Sequence, residues 1–365
     1  MAVLWLGVLF LSVFVTPAAS QDTVEITGRP VCEICRVSVE VIDVLESPDS
    51  VGLGRRDRHR VGLDGTGTLW VAPAAMPHAI VALASGSDEG PWISRRGQGP
   101  REFTSIRLIA VGPGDTLFAL GDGKLNRYTR RGTFARTHRL MANPMNVLPS
   151  VDGAWILNGT IPTPQRAGYP LHRIDPEGTP RSSFGPVVGS RMGEPDLSEM
   201  RRALALRRAG GFWAARQNRY EIEHWGEDGS LVRTVRRTVP WFPAWTTPDP
   251  RAPFEVPPLP GLRSVAEDAE GRLWVLLYVA SQDHQTGERP DLSDPSAWDA
   301  PMGRVHPQWD TLVEVLDPER GSVLTQHRFP GMLGDLLPGL HVVEPDLDDS
   351  GGQLLRLLRS SLSDG

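Results

Sequence analysis

One element recurs along this chain and restricts what it can fold into: a Gly-containing turn that runs directly into an aromatic-aliphatic strand. It reads Gly67-Thr68-Leu69-Trp70-Val71, Gly114-Asp115-Thr116-Leu117-Phe118, Gly153-Ala154-Trp155-Ile156, Gly210-Gly211-Phe212-Trp213 and Gly271-Arg272-Leu273-Trp274-Val275. A second element follows at variable distance, an apolar strand, a bend and a Gly. Its copies start at Leu125, Leu171, Ile222 and Val313 and end at Gly132, Gly178, Gly229 and Gly321, with a degenerate copy from Ala79 to Gly86. Apolar positions alternate with the period of two that strands require, as in Ile109/Val111 and Leu204/Leu206. Gly in the turns supplies the positive φ of tight hairpins. One four-stranded unit cannot bury both of its faces, so the copies must pack on one another.

Radial packing of such units around a channel is the β-propeller solution. Five complete units begin near residues 59, 106, 145, 201 and 262, and a sixth is half present in Leu340–Glu344 and Gln353–Leu358. The N-terminal run Val37–Leu45 can supply its missing strands, which ties the termini together and removes an exposed edge. The expected fold is all-β, a six-bladed propeller of four-stranded antiparallel blades over residues 51–365, with seven blades as the alternative. A chain of 365 residues ordinarily suggests two or three domains, but here one closed array accounts for the length. Its 38 Gly and 33 Pro leave few uninterrupted helical windows, and 40% hydrophobic residues exclude wholesale disorder. A net charge of −6 argues against a nucleic-acid partner. Lys124 is the one lysine, so nearly all the basic residues are arginine, a skew that composition alone could produce.

The segment Ile93-Ser94-Arg95-Arg96-Gly97-Gln98-Gly99-Pro100-Arg101-Glu102-Phe103 resembles the blade-linking G-x-G-P-G-x-F of NHL-repeat propellers, with Arg101 where those repeats have Gly. Ile109-Ala110-Val111, Leu117-Phe118 and Leu125-Asn126-Arg127-Tyr128 continue the resemblance. The whole chain is similar to exported bacterial six-bladed propellers that carry an N-terminal C-x-x-C. The resemblance implies the architecture and hardly touches function, since propellers host binding, scaffolding and catalysis alike.

Residues 1–20 read as a signal peptide. Leu4–Val15 is an apolar run of h-region length, and Ala18 and Ser20 prepare a cleavage before Gln21. The n-region lacks Lys and Arg, and no later stretch is long and apolar enough to span a membrane. The mature chain is therefore expected in the periplasm or outside the cell, as a monomer. Residues 21–50 form an N-terminal segment with Cys32 and Cys35, the only cysteines, which in an oxidising compartment form a short-range disulfide. A structural zinc would need two more ligands, and a c-type haem would need His where Arg36 stands.

Arg107, Arg202 and Arg263 each lie eleven residues before Phe118, Trp213 and Trp274, at the start of an inner strand. His59 takes that place in the first unit, Asn146 lies near it in the third, and His341 is a looser match in the sixth. A ring of guanidinium groups at one channel mouth could hold a carboxylate or phosphate in bidentate fashion. Salt bridges between blades compete with that reading. Two insertions, about 240–260 and 281–310, interrupt the repeat. Trp241, Phe242 and Trp245 in the first could stack on a sugar or peptide or, as we favour, cap a blade rim. The second holds His284, Trp298, His306 and Trp309.

No G-x-S-x-G, H-E-x-x-H, P-loop or EF-hand pattern appears, and no cofactor or metal motif is present. Lactonase-like propellers assemble a metal site from separate inner strands, for which Glu267, Asp268, Glu344 and His59 are conceivable contributors. Asn158-Gly159-Thr160 fits a glycosylation sequon or a plain loop. The expectation is a binding module for a small anionic ligand or a protein or peptide partner, acting through the channel mouth and the top-face loops. The alternative is a metal-dependent lactonase-like hydrolase or lyase.

Overall fold

The computed structural model describes residues 22–46, 61–73, 76–84, 92–189, 196–246, 257–282, 309–347 and 353–363. They form six radial sheets, each numbered here as a blade and read from inner to outer strand. Blade 1 is Val61–Leu63, Leu69–Val71, Ile80–Leu83 and Trp92–Ile93, and blade 2 is Ile106–Gly112, Thr116–Gly121, Lys124–Tyr128 and Phe134–Arg139. Blade 3 is Asn143–Pro149, Trp155–Thr160, Leu171–Ile174 and Pro180–Phe184. Blade 4 is Arg202–Leu206, Phe212–Arg216, Glu221–Trp225 and Leu231–Arg237, and blade 5 is Gly261–Glu267, Leu273–Ala280, Trp309–Asp317 and Ser322–Phe329. Blade 6 is Leu336–Leu337, His341–Leu347, Gln353–Ser363 and, outermost, Arg36–Glu46.

Closure by the N-terminal strand is as the sequence implies: Arg36–Glu46 runs antiparallel to Gln353–Ser363, with Val37 opposite Leu362 and Leu45 opposite Leu355. Only one strand is borrowed, however, because Leu336–Leu337 supplies the innermost strand from the blade's own segment. A second departure lies upstream. Asp22–Ile26 pairs in parallel with Leu231–Arg237 and makes blade 4 five-stranded. Between these two strands the chain crosses blade 5, where Val31 N donates to Val323 O and Cys32 N to Leu324 O. Cys32 and Cys35 are disulfide-bonded there, with Cα atoms 5.3 Å apart. The N-terminal segment is thus a strap that covers the rim of three blades, shielding strand edges that would otherwise invite pairing.

Packing follows from the repeat. Each blade offers alternate side chains to the neighbour on either side, so the apolar core is a set of seams. Trp70 and Tyr128 lie in the seam of blades 1 and 2, Leu125 and Trp155 in that of blades 2 and 3, and Phe184 and Phe212 in that of blades 3 and 4. Trp213 and Val275 join blades 4 and 5, Leu276 and Leu358 join blades 5 and 6, and Leu69 and Leu355 close the ring between blades 6 and 1. Truncating one such buried aromatic to Ala would cost roughly 3–5 kcal/mol.

The turn motif holds its tryptophan through a carboxylate. Asp64 and Asp268 each stand six residues before a tryptophan; Trp70 Nε1 donates to Asp64 at 3.1 Å and Trp274 Nε1 to Asp268 at 2.9 Å. The same carboxylates accept from the turn amides of Thr66 and Thr68, and of Glu270 and Arg272. Gly67 (φ 85°) and Gly271 (φ 78°) make the left-handed step that closes each turn.

Candidate channel site

The six inner strands surround a channel of about 720 Å³. Leu63, Ile109, Leu148, Leu204, Val265 and Leu337, one from each blade, give it an apolar wall. Polar groups gather at its two ends. Asn146, Arg263 and Asp335 mark the end where inner strands begin, and Arg208, Glu267, Glu270 and Arg272 the end where they finish.

The aligned arginines do not assemble into a ring. Arg107 is exposed and its Nη1 donates to Asn143 Oδ1 at 2.9 Å. Arg263 forms a two-pronged pair with Asp335, at 2.7 Å from Nε and 3.1 Å from Nη2. Arg202 departs from the expectation altogether: its side chain is fully buried between blades 3 and 4, 3.5 Å from Glu223. Strand register explains the split. Arg107 and Arg263 each occupy a β-bulge at the start of their strand, where pairing skips from Leu108 to Ile106 and from Leu262 to Ser264. A bulge re-aims its extra side chain. The inner strand pair of blade 4 has no bulge, so Arg202 pairs regularly with Arg216 and shares its face with Leu204, which packs toward blade 3.

Arg202 belongs to a buried ionic cluster. Its Nη1 donates to Glu199 O (2.6 Å) and Arg201 O (3.1 Å). Arg216 Nε donates to Glu223 at 2.9 Å and lies 2.9 Å from Glu221, while Arg219 reaches Glu199 at 2.5 Å. Burial pulls the Arg202 pKa down to about 10 against the opposing charge of Glu223. Two of its nitrogens, Nε and Nη2, lack a hydrogen-bond partner among the described residues. Asn158 stitches the same seam, donating to Pro170 O and Met200 O and accepting from Arg202 N. It is completely buried in a strand, so the sequon is not a loop and offers no surface for a glycan.

The true cationic neighbour of Arg263 is Arg201, which the alignment passed over. Partial burial and then the like charge of Arg263 push the Arg201 pKa down. Arg201 is packed on one side and open to solvent on the other, and its guanidinium has no acidic partner among the described residues. Among the described residues, Arg201 thus adds a second guanidinium beside the Arg263–Asp335 pair at this end of the channel.

The remaining candidates are engaged elsewhere. Glu267 accepts from Trp213 Nε1 at 2.5 Å and from Arg208 N at 3.3 Å, tying blade 5 to blade 4. Asp268 is the turn anchor of Trp274. Glu344 pairs in register with Arg356, and His341 Nδ1 donates to Pro338 O at 2.7 Å. Among the described residues no group of three or more His, Cys, Asp or Glu side chains could hold a metal ion. His59, His284, Trp298 and His306 lie outside the described residues. In the first insertion, Trp241 and Phe242 cluster with Tyr220 at ring distances of 5.6–6.2 Å, and Phe242 is buried. Trp245 Nε1 donates to Pro260 O at 2.6 Å, and its backbone exchanges bonds with Asn218. These aromatics pack on the rim of blade 4, and half-buried Trp241 also lines a pocket with Pro257, Pro258, Leu259 and Pro260. No helix among the described residues is long and apolar enough to cross a membrane.

No protein-family model and no curated protein matches the chain. Solved structures do resemble it. A gluconolactonase from Xanthomonas campestris is 14% identical with a TM-score of 0.48, over 95% of this chain and 99% of that one. A virginiamycin B lyase from Staphylococcus aureus is 10% identical with a TM-score of 0.48, over 89% and 99%. Regucalcin from Agrobacterium tumefaciens, a calcium-binding protein, is 11% identical with a TM-score of 0.43, over 92% and 95%. At such identities the likeness is one of fold, and the topology above makes this chain a six-bladed β-propeller.

Proposed function

We propose that this protein is a ligand-binding propeller whose central channel takes an amphipathic anion, with a carboxylate or phosphate at the mouth and an apolar body along the wall. One observation carries this reading: an apolar channel of about 720 Å³ has the Arg263–Asp335 pair at one end, and Arg201, just before the first strand of blade 4, is close enough to feel the charge of Arg263. The volume suits a small molecule, and a few polar groups at one end of an apolar wall fix a ligand's orientation. Guanidinium groups donate two parallel hydrogen bonds to a carboxylate or phosphate. Arg107, exposed at the start of the inner strand of blade 2, adds a further positive charge at that end of the ring. The acidic side chains that a lactonase-like reading would use have structural duties instead: Glu267 holds Trp213 and Asp268 holds Trp274. A signal peptide over residues 1–20, as the sequence reads, together with the strap disulfide would place its work outside the cytoplasm.

Titration calorimetry with decanoate, decyl phosphate and decanol tests the assignment. The two anions should bind, decanol should bind at least tenfold more weakly, and Arg201→Gln should remove most of that preference. That substitution leaves the Arg263–Asp335 pair intact, so the fold should survive it. Equal binding of decanol, or anion binding unchanged by Arg201→Gln, would show that the mouth is not the site.

A further inference from the structure

Residues 94–143, the linker and body of blade 2, carry nine arginines and Lys124 against Glu102, Asp115 and Asp122, while the whole chain nets −6. The three acids are already committed. Glu102 accepts from Gly99 N and pairs with Arg95. Asp115 accepts from Gly65 N and lies 3.5 Å from Arg130. Asp122 accepts from the backbone and hydroxyl of Thr104. Arg96, Arg131, Arg136 and Arg139 are exposed and have no acidic partner among the described residues.

The strand register sharpens this imbalance. Arg136 lies directly opposite Arg127, and Arg139 directly opposite Lys124, on the two outermost strands of the blade. Like charges in directly opposed positions destabilise a sheet unless a counter-charge joins them. Two further arginines are held by rings instead of carboxylates: Arg101 sits 5.0 Å over Phe134 and Arg127 sits 5.3 Å over Phe118. A guanidinium stacked on a ring is fixed in orientation while its N–H edge stays open for an anion. An edge strand blunted against aggregation would explain Arg136 and Arg139, but not Arg127 or the linker residues Arg96 and Arg101.

We propose that the outer edge of blade 2 binds a linear anionic polysaccharide bearing carboxylate or sulfate groups. The exposed Arg136 and Arg139 are three residues apart along the strand, roughly 10 Å, and an odd spacing puts them on opposite faces of the sheet, while Lys124 opposite Arg139 is buried and donates to Gln98 O and Gly99 O. The charge therefore straddles a ridge that a flexible chain can wrap, whereas a flat bilayer would meet only its crest. A nucleic acid would want open rings for its bases to stack on, yet Phe118 is buried and both rings are covered by guanidinium groups. This surface is independent of the channel mouth and of the ligand assigned there.

The test is titration of the whole chain with dextran sulfate and polygalacturonate, beside neutral dextran, single-stranded DNA and phosphatidylglycerol vesicles. At least one anionic polysaccharide should bind, and Arg131→Gln/Arg136→Gln/Arg139→Gln should weaken it at least tenfold. The slope of log affinity against log salt should become shallower by about 2, three charges at roughly 0.7 each. All three side chains are exposed, so an unchanged thermal unfolding curve should accompany the loss, and Arg127→Gln provides a second variant. Arg201→Gln should leave polymer binding as it was. Binding of neither anionic polysaccharide, equal binding by the triple variant, or preference for DNA or vesicles would overturn the proposal.

Discussion

In blade 4 the outer strand sets Arg233 against Asp22 and Glu319, Arg236 against Glu25 and Glu221, and Arg237 against Glu314. In blade 2 the corresponding strand sets Arg136 opposite Arg127 and Arg139 opposite Lys124. Both blades are rich in arginine, and the difference lies in what faces it. Blade 4 draws its carboxylates from the strap, from its own third strand and from blade 5, so its arginines bind the ring together. Among the described residues, blade 2 receives no comparable contribution from its neighbours to Arg131, Arg136 and Arg139. Counting arginines would rank the two blades alike; tracing their partners separates a scaffold from a surface.

The largest test of that contrast is at Glu314, which is fully buried between Arg237 (2.9 and 3.0 Å) and the hydroxyl of Tyr220 (2.5 Å). Glu314→Ala strands a buried guanidinium and should lower the unfolding free energy by about 3–5 kcal/mol in urea titrations. A loss below about 1 kcal/mol would mean that blade 4 does not depend on its ion pairs. The next effect is pH-dependent. His172, on the blade 3 face that packs toward blade 2, is fully buried, and its pKa is pulled from 6.5 down to about 4 by burial. The folded state therefore keeps a neutral ring while the unfolded chain protonates. Its contribution is complete above pH 6.5 and is lost as pH falls toward 4, for a total of about 3 kcal/mol. Chemical denaturation across that window should show the decline, and His172→Gln should flatten it.

Smaller effects compare the two outer strands directly. Arg236→Ala removes half-exposed pairs with Glu25 and Glu221 and should cost about 0–1 kcal/mol by thermal unfolding. Arg136→Gln should cost nothing and gain a few tenths of a kcal/mol, because it relieves the charge opposite Arg127. A destabilisation by Arg136→Gln as large as that of Arg236→Ala would erase the distinction between the blades.

The ring was legible in the sequence because turns and strand periods are local. Gly67, Gly153 and Gly271 mark hairpins without reference to any distant residue, and the six-blade count and the Val37–Leu45 closing strand followed from them. The Asp64 and Asp268 anchors were also within reach, since both lie three residues before the turn glycine. The parallel strand Asp22–Ile26 was not, because nothing local says which edge a strap will find. Alignment put Arg107, Arg202 and Arg263 in one column, but a column fixes position along a strand and not the face. Bulges at Arg107 and Arg263, absent at Arg202, decided where each side chain went. Arg201 became visible as a site residue only once blade 5 was brought beside it.

The central claim is that the cationic mouth and apolar channel form one site for an amphipathic anion. A crystal structure of the protein with decyl phosphate tests it most directly. The phosphate should lie within hydrogen-bond distance of Arg201 and Arg263, with the alkyl chain against Leu204 and Leu337. A decyl phosphate bound elsewhere, or a phosphate at the mouth with its chain turned out to solvent, would contradict it.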